Sequence, residues 1–309
     1  MQAVVFSSDS VDGICAAACI MRGLRLKNLP CKFGGMLSTE KRDAQLQHII
    51  DQNNVALFLA DYPPDAIPDV SAFLRQLAGK VSIAYWSFCQ VQKPETLSLL
   101  SGSVKHIDYA STNNVSSTEL AAFRFLPGDM VGKQLTAFAA DIKFWLRQDE
   151  RATKLADLLM SGFDPKEIVD ALSRGVMWDD TFERARTEYL EKKTKAFEDL
   201  MKRLTIKDYL KYRLGFALSP TLLSTADACQ YILDKHTGVD VSVAIYKSGK
   251  IAFRRRDSCD MDVKKLAHQF NGGGQTFAAG GSVGMDVSAE HWDEVLFQVD
   301  RKLKDYFLA

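Results

Sequence analysis

The chain lacks any net charge: Lys plus Arg number 39 and Asp plus Glu number 39 over 309 residues. No global field draws a polyanion in, so contact with nucleic acid has to be built locally. Long apolar runs are missing as well. No segment approaches the roughly 18 apolar residues that a membrane span requires, and the opening MQAVVF carries no basic leader, so the expectation is an intracellular, cytoplasmic protein. The six cysteines include no C-x-x-C pair. With Cys15 and Cys19 four apart on an apolar helical pattern, they read as small buried hydrophobes in a reducing compartment rather than as metal ligands or disulfide partners. Internal repeats and low-complexity tracts are absent too. Hydrophobic residues at 47% and charged residues at 25% are the proportions of an ordinary globular protein.

What is present begins with alternation. Ala3–Phe6, Val55–Ala60, Val81–Tyr85 and Val104–Ile107 are β-type runs separated by helical patterns such as Ala16–Leu24. Strand, helix, strand at this spacing predicts a doubly wound parallel sheet, with ligands at the carboxyl ends of its strands. Ser116–Leu120 has the hydroxyl and first-turn glutamate of a helix start, and Val131–Ser173 continues in helical pattern with interruptions at Gly162 and Pro165. Asp179 to Arg203 reads as one long helix with 8 acidic or basic residues in its last 14 positions, too polar for a core and suited to bridging domains. Beyond it, Tyr212–Leu218, Val239–Tyr246 and Lys250–Arg255 read as strands. Helices are expected from the Ser219-Pro220 cap to about His236, over Asp262–Phe270 and over Ala289–Leu308. The expected fold is α/β: an N-terminal doubly wound parallel-sheet domain at 1–178, a long connecting helix at 179–204, and a smaller C-terminal α/β domain with a mixed sheet at 205–309.

The most informative stretch is Gly272-Gly273-Gly274-Gln275-Thr276-Phe277-Ala278-Ala279-Gly280-Gly281, because no packed core calls for three successive glycines followed by small residues. Either something approaches that backbone closely, with its N–H groups turned to an anion, or the stretch is a mobile surface turn. Its context carries a resemblance. Arg254 on a strand, then a helix, then GGGQTFAAGG resembles the C-terminal domain that accompanies DHH-type phosphoesterases, whose motif reads GGGHxxAAG. Ser8-Asp9-Ser10-Val11-Asp12-Gly13 stands where that family has H-x-D-x-D-G after its first strand, and Asp61 where it places a metal-binding aspartate. Asp108 with Ser116–Leu120 resembles the segment after the DHH triplet, and Ala140-Asp141-Ile142-Lys143-Phe144-Trp145 resembles a helical segment of archaeal members.

The resemblance implies two divalent ions, usually manganese, held between the sheet and the C-terminal domain and activating a water against a phosphodiester or phosphoanhydride. Such a centre needs several carboxylates and imidazoles to converge, because each ion takes about four to six ligands. This chain departs from the family at those positions. Ser8 and Ser10 replace the first histidine and the first aspartate, the ten residues Val81–Gln90 where the triplet belongs contain no Asp, Glu or His, and Gln275 replaces the motif histidine. His48, His106, His236, His268 and His291 all lie outside the family's metal positions. Asp12, Asp61 and Asp141 remain as vestigial positions. Three carboxylates leave room for one weakly held magnesium or manganese ion, and a paired centre is not expected. Each also has an ordinary reading, with Asp12 capping the helix that follows, Asp61 bracing the Pro63-Pro64 turn and Asp141 solvated. No catalytic residue and no cofactor is assigned.

Lys247, Lys250, Arg254, Arg255 and Arg256 put five cations in ten residues with no acid among them. In the family an arginine on this strand and the glycine backbone hold phosphates, which makes Arg254, Arg256, Gly272, Gly273, Gly274 and Gln275 the candidate phosphate or nucleic-acid contacts. A solvated basic edge strand is the alternative. Trp86 and Phe88 beside the lost triplet point to a cleft filled with side chains. The resulting reading is a catalytically inactive, RecJ-like DHH protein that binds single-stranded DNA or RNA, or serves as a scaffold in a replication or repair complex. The resemblance makes replication or repair proteins such as the GINS complex candidate partners and gives no reason for a membrane one. A working phosphodiesterase that cleaves short oligonucleotides or dinucleotides with a reduced metal site, and a protein-only interaction subunit, stand as alternatives.

Overall fold

The computed structural model describes residues 2–37, 45–46, 49, 54–89, 93–111 and 114–308, which leaves His48 and Gln90 outside the described residues. The chain divides into two compact units, Met1–Tyr189 and Leu190–Ala309.

The first unit is built on strands β1 (Gln2–Ser7), β2 (Cys31–Met36), β3 (Val55–Ala60), β4 (Ser82–Phe88) and β5 (Ile107–Tyr109). They pair in parallel in the order β2-β1-β3-β4-β5. A strand covered on both faces has no polar side to show, which is why Val55–Ala60 reads VALFLA and is buried throughout. The described helices of this unit are α1 (Val11–Leu26), α2 (Val70–Leu77), α3 (Pro94–Ser101), α4 (Ser117–Phe125), α5 (Met130–Lys143), α6 (Glu150–Met160) and α7 (Pro165–Arg174). One face of the sheet joins α1 and α4 to α7 in a core that includes Val5, Ile14, Cys19, Leu135, Phe138 and Leu172. The other face buries Val4, Leu57, Phe73, Leu74, Trp86 and Leu100 with α2 and α3.

This strand order places the topological switch point between β1 and β3, where doubly wound sheets open a crevice at their carboxyl ends. Ser7 pairs with Ala60 in the β1–β3 register, so Ser8 and Asp61 leave the sheet side by side.

Several elements differ from the sequence expectation. β2 has no counterpart in it, because CKFGGM carries two glycines and little strand propensity; pairing with β1 imposes the strand. β5 begins at Ile107, and Val104 makes only an isolated bridge to Ile83. The helical stretch after Val131 breaks a further time between α5 and α6, where Trp145 and Arg147 take positive φ of 57° and 54°. The Arg147 guanidinium lies 4.0 Å from the Trp145 ring centroid, a cation–π contact that steadies the turn.

The long charged helix is α8 (Asp180–Lys202), through which the division between the units passes. The second unit contains β6 (Thr205–Tyr209), β7 (Tyr212–Ser219), β8 (Val241–Tyr246), β9 (Lys250–Arg255), β10 (Gly273–Gly274) and β11 (Ala278–Ser282), in the sheet order β10-β11-β9-β8-β7-β6. Only β7 and β8 pair in parallel, so the sheet is mixed. Helix α9 (Thr225–Lys235) packs on one face through Ala228 and Ile232, against Ala217 and Ala244. Helices α10 (Val263–His268) and α11 (Trp292–Leu308) cover the other with Leu266, Val295 and Leu303, against Val243 and Phe253. α9 starts later than Ser219-Pro220: Ser219 ends β7, and Ser224 is the cap, its hydroxyl accepting the Asp227 N–H at 3.0 Å.

Cys15, Cys19, Cys229 and Cys259 are buried as small hydrophobes, while Cys31 and Cys89 are half-buried. Burial pushes the Cys229 thiol up to about 11. Among the described residues no helix is long and apolar enough to cross a membrane.

Candidate functional site

At the switch point of the first unit, serine hydroxyls and a lysine surround the two surviving aspartates. Ser10 caps α1 by accepting the Gly13 N–H at 2.9 Å, and its hydroxyl donates to Asp61 Oδ2 at 2.8 Å. Ser8 donates to the same oxygen at 2.6 Å, and Ser117, in the first turn of α4, donates to Asp61 Oδ1 at 2.7 Å. Asp12 is buried in the first turn of α1, yet its carboxylate caps another helix. It accepts the N–H groups of Ser117 at 2.9 Å and Thr118 at 2.8 Å, where the dipole of α4 favours an anion. The Thr118 hydroxyl lies 2.7 Å from Asp12 Oδ1, and the Lys143 ammonium, from the last turn of α5, donates to Oδ2 at 2.8 Å.

Burial, then the nearby Asp12 charge, raises the Asp61 carboxyl above its ordinary range, while the hydroxyls of Ser8, Ser117 and Ser10 pull it back down. At Lys143 burial works against the charge, but the Asp12 carboxylate outweighs it and the ammonium is held above its ordinary value. A carboxyl raised on folding binds its proton more tightly in the folded state. Its ionised form at neutral pH therefore opposes folding, and stability is gained as pH falls through the folded value. Asp61→Asn is accordingly expected to raise the melting temperature at pH 7 and to lose that advantage as pH falls, read from thermal melts across the acid range.

These residues do not fit the paired metal centre of the DHH phosphoesterases. The carboxylate oxygens are taken by hydroxyl, amide and ammonium donors, and the compensating positive charge is covalently part of the chain. Among the described residues no group of three His, Cys, Asp or Glu side chains is disposed to hold a metal ion.

Four expectations for this unit need correction. Asp12 does not cap α1, whose cap is Ser10, and Asp61 takes three hydroxyls instead of bracing the Pro63-Pro64 turn. Asp141 is not solvated: it is 4% exposed, and its Oδ1 accepts the N–H groups of Gln148 at 2.7 Å and Asp149 at 3.2 Å, which ties down the turn before α6. Trp86 and Phe88 do not fill the crevice. They point to the opposite face of the sheet, where the Trp86 indole donates to the Tyr62 carbonyl at 2.6 Å. Alternation along β4 gives the crevice Ser87, whose Oγ accepts the Asp61 N–H at 3.3 Å, and beyond the strand Cys89, 3.4 Å from the Ser117 hydroxyl.

In the second unit, what approaches the glycine backbone is the protein's own strand β11. A β-carbon on Gly272 would stand 1.9 Å from the Gly280 carbonyl oxygen, and one on Gly274, at φ 144°, would stand 2.6 Å from Ala279 Cα. A β-carbon on Gly273 meets nothing within 4 Å. The Gly272 N–H donates to the Ala267 carbonyl of α10 at 3.0 Å, and the Gln275 N–H donates to the Ala278 carbonyl at 2.8 Å, closing a tight hairpin between β10 and β11. The motif is thus ordered strand and hairpin; only Gly273 and the tip remain open. Gln275 is exposed at that tip, and Phe277 beside it is 48% exposed.

Arg254 and Arg256 part company. The Arg256 guanidinium donates to the carbonyls of Val239 at 3.2 Å and His236 at 3.0 Å, and to that of Leu233, so it clamps the end of α9. Arg256→Ala is expected to cost about 2 kcal/mol of stability, measured by urea unfolding, since charged hydrogen bonds to buried carbonyls are lost. Arg254 lines a cavity of about 290 Å³ together with Lys250, Thr225, Ala226, Ala279 and Gly280. Thr225 and Ala226 are the first residues of α9, so the N-terminus of an 11-residue helix opens on the same space as two cations. The late start of α9 at Ser224 hides this arrangement from a reading of the sequence. Phe277 is also missing from the sequence-based site, although it is the one large apolar side chain among the small residues of its motif. Ser117, Thr118 and Lys143 are visible there only as a helix start and a helical segment.

A parallel sheet with carboxylates at its switch point, coupled in one chain to a mixed-sheet unit with a basic strand and a glycine hairpin, defines a two-unit α/β fold. Its structural neighbours are DHH-domain proteins. A DHH domain from a member of a family of ribosomal proteins aligns with a TM-score of 0.65 at 11% identity, over 98% of this chain and 86% of that one. Exonuclease RecJ bound to manganese aligns with a TM-score of 0.56 at 11% identity, over 99% and 90%. The pGpG-specific phosphodiesterase PggH of Vibrio cholerae aligns with a TM-score of 0.50 at 13% identity, over 97% and 99%. No protein-family profile and no curated protein sequence matches the chain.

Proposed function

We propose that this chain is a DHH-fold protein that does not hydrolyse phosphodiesters and that binds single-stranded nucleic acid through its second unit, as a component of replication or repair assemblies. The observation that carries this reading is the saturation of Asp12 and Asp61 by hydroxyl, backbone and ammonium donors. Metal-activated water needs open carboxylate ligands, and these are engaged. Support for binding comes from the cavity where Arg254, Lys250 and the start of α9 meet, a setting in which helix N–H groups and cations favour phosphate. Phe277 adds an exposed ring next to this strand, its carbonyl accepting the Arg255 N–H at 3.1 Å. Bases stack on such rings regardless of sequence, for about 1–3 kcal/mol each. Among the structural neighbours, an exonuclease and a pGpG phosphodiesterase work on the same class of polyanion.

Fluorescence anisotropy with labelled single-stranded DNA and RNA at two salt concentrations tests the binding. The expected result is affinity that falls with salt, weakened about tenfold or more by Arg254→Ala and about fivefold or more by Phe277→Ala. No binding, or binding indifferent to both salt and these substitutions, would overturn the nucleic-acid reading in favour of a protein-only role.

A further inference from the structure

We propose that the Lys143 ammonium is a built-in counter-ion occupying the place of a divalent cation, and that this one side chain keeps an otherwise cation-competent oxygen cluster closed to metal ions. The inference rests on the non-hydrolytic reading and goes beyond it, since it states what holds the site shut. Asp12 and Asp61 lie against the same residue, Ser117, whose N–H donates to one and whose hydroxyl donates to the other. A buried carboxylate and a partly buried one so close need a positive charge, and burying a carboxylate without one costs several kcal/mol. Lys143 supplies it from the C-terminal turn of α5, where the helix dipole favours a cation, at 2.8 Å from Asp12. It is also electrostatically linked to Asp61 and Cys89.

Apart from the ammonium, the Cys89 thiol beside Ser117 and the two N–H groups on Asp12, the side-chain atoms of the cluster are hard oxygen: the carboxylates of Asp12 and Asp61 and the hydroxyls of Ser8, Ser10 and Ser117. Hydroxyl oxygens that now donate to Asp61 can turn and present lone pairs instead. Magnesium and manganese accept such oxygens and complete their shells with water. Loss of the lysine charge therefore leaves two uncompensated carboxylates among suitable ligands. The sequence separates Asp12 from Lys143 by 131 positions, so nothing short of the fold shows the relation.

Thermal melting and isothermal titration calorimetry with magnesium chloride and manganese chloride test the proposal on the full chain. The proteins compared are wild type, Lys143→Ala, and Lys143→Ala combined with Asp12→Asn. Wild type is expected to show no cation-dependent shift in melting temperature. Lys143→Ala is expected to melt lower, to recover with added cation, and to bind it at least about tenfold more tightly than wild type, a gain that the second substitution removes. If Lys143→Ala does not fold, Lys143→Gln, which keeps a donor for Asp12 without the charge, replaces it with the same readout. A folded lysine variant with no gain in cation affinity overturns the proposal and leaves the non-hydrolytic reading standing. Wild-type protein that binds manganese through Asp12 as tightly as the lysine variant overturns both.

Discussion

Gly272→Ala is expected to destabilise the protein by about 3 kcal/mol or more, whereas Gly273→Ala one position away leaves its unfolding midpoint nearly unchanged. The difference comes from which neighbour each added methyl group meets. At Gly272 it would lie 1.9 Å from the Gly280 carbonyl oxygen and 2.5 Å from Gly281 Cα, both backbone atoms of a paired strand that cannot swing aside as a side chain could. At Gly273 no atom lies within 4 Å of it. Circular dichroism melts of the two variants separate a glycine required by packing from one that is not. Similar losses in both variants would contradict the strand-and-hairpin account of the motif. The same pair bears on binding, because a folded Gly273→Ala protein presents its extra methyl only to whatever occupies the open side.

Asp12→Ala should cost about 3–5 kcal/mol, read as a shift in urea unfolding monitored by circular dichroism. It removes the acceptor for the Ser117 and Thr118 N–H groups, and it leaves Lys143 without its anion. At Asp12, which unlike Asp61 carries an ammonium partner, the sign of the effect distinguishes a structural hub from a metal ligand. Carboxylates gathered to hold a cation repel one another in its absence, so removing one from a metal-free enzyme relieves strain and commonly stabilises the fold at the expense of function. A stabilised Asp12→Ala variant in metal-free buffer would show that the carboxylate is held under such repulsion, against the network described here.

The sheet of the first unit was legible because its strands are continuous apolar runs, and Asp61 at the end of VALFLA fell at the switch point as parallel topology requires. Orientation was harder to read. Trp86 and Phe88 adjoin the crevice in sequence but face away from it, since the β4 register that assigns its alternate residues to one face is set by pairing with β3 and β5. Ser8 and Ser10 could be recognised as absent ligands, but not as hydrogen-bond donors to the carboxylate that outlasted them, because a hydroxyl's partner depends on tertiary contacts. The glycines announced a close approach, and one exists, that of β11. Arg254 and Arg256 share a face, as strand alternation predicts, yet α9 claims Arg256 for its terminal carbonyls.

The most direct test of the central claim is hydrolysis itself. Purified protein incubated with labelled short RNA and DNA, in manganese and separately in magnesium, is predicted to leave the substrates intact. Product whose formation is abolished by Asp12→Ala or Asp61→Ala would contradict the account, because it would require these two carboxylates to serve a metal that the Lys143 ammonium now excludes.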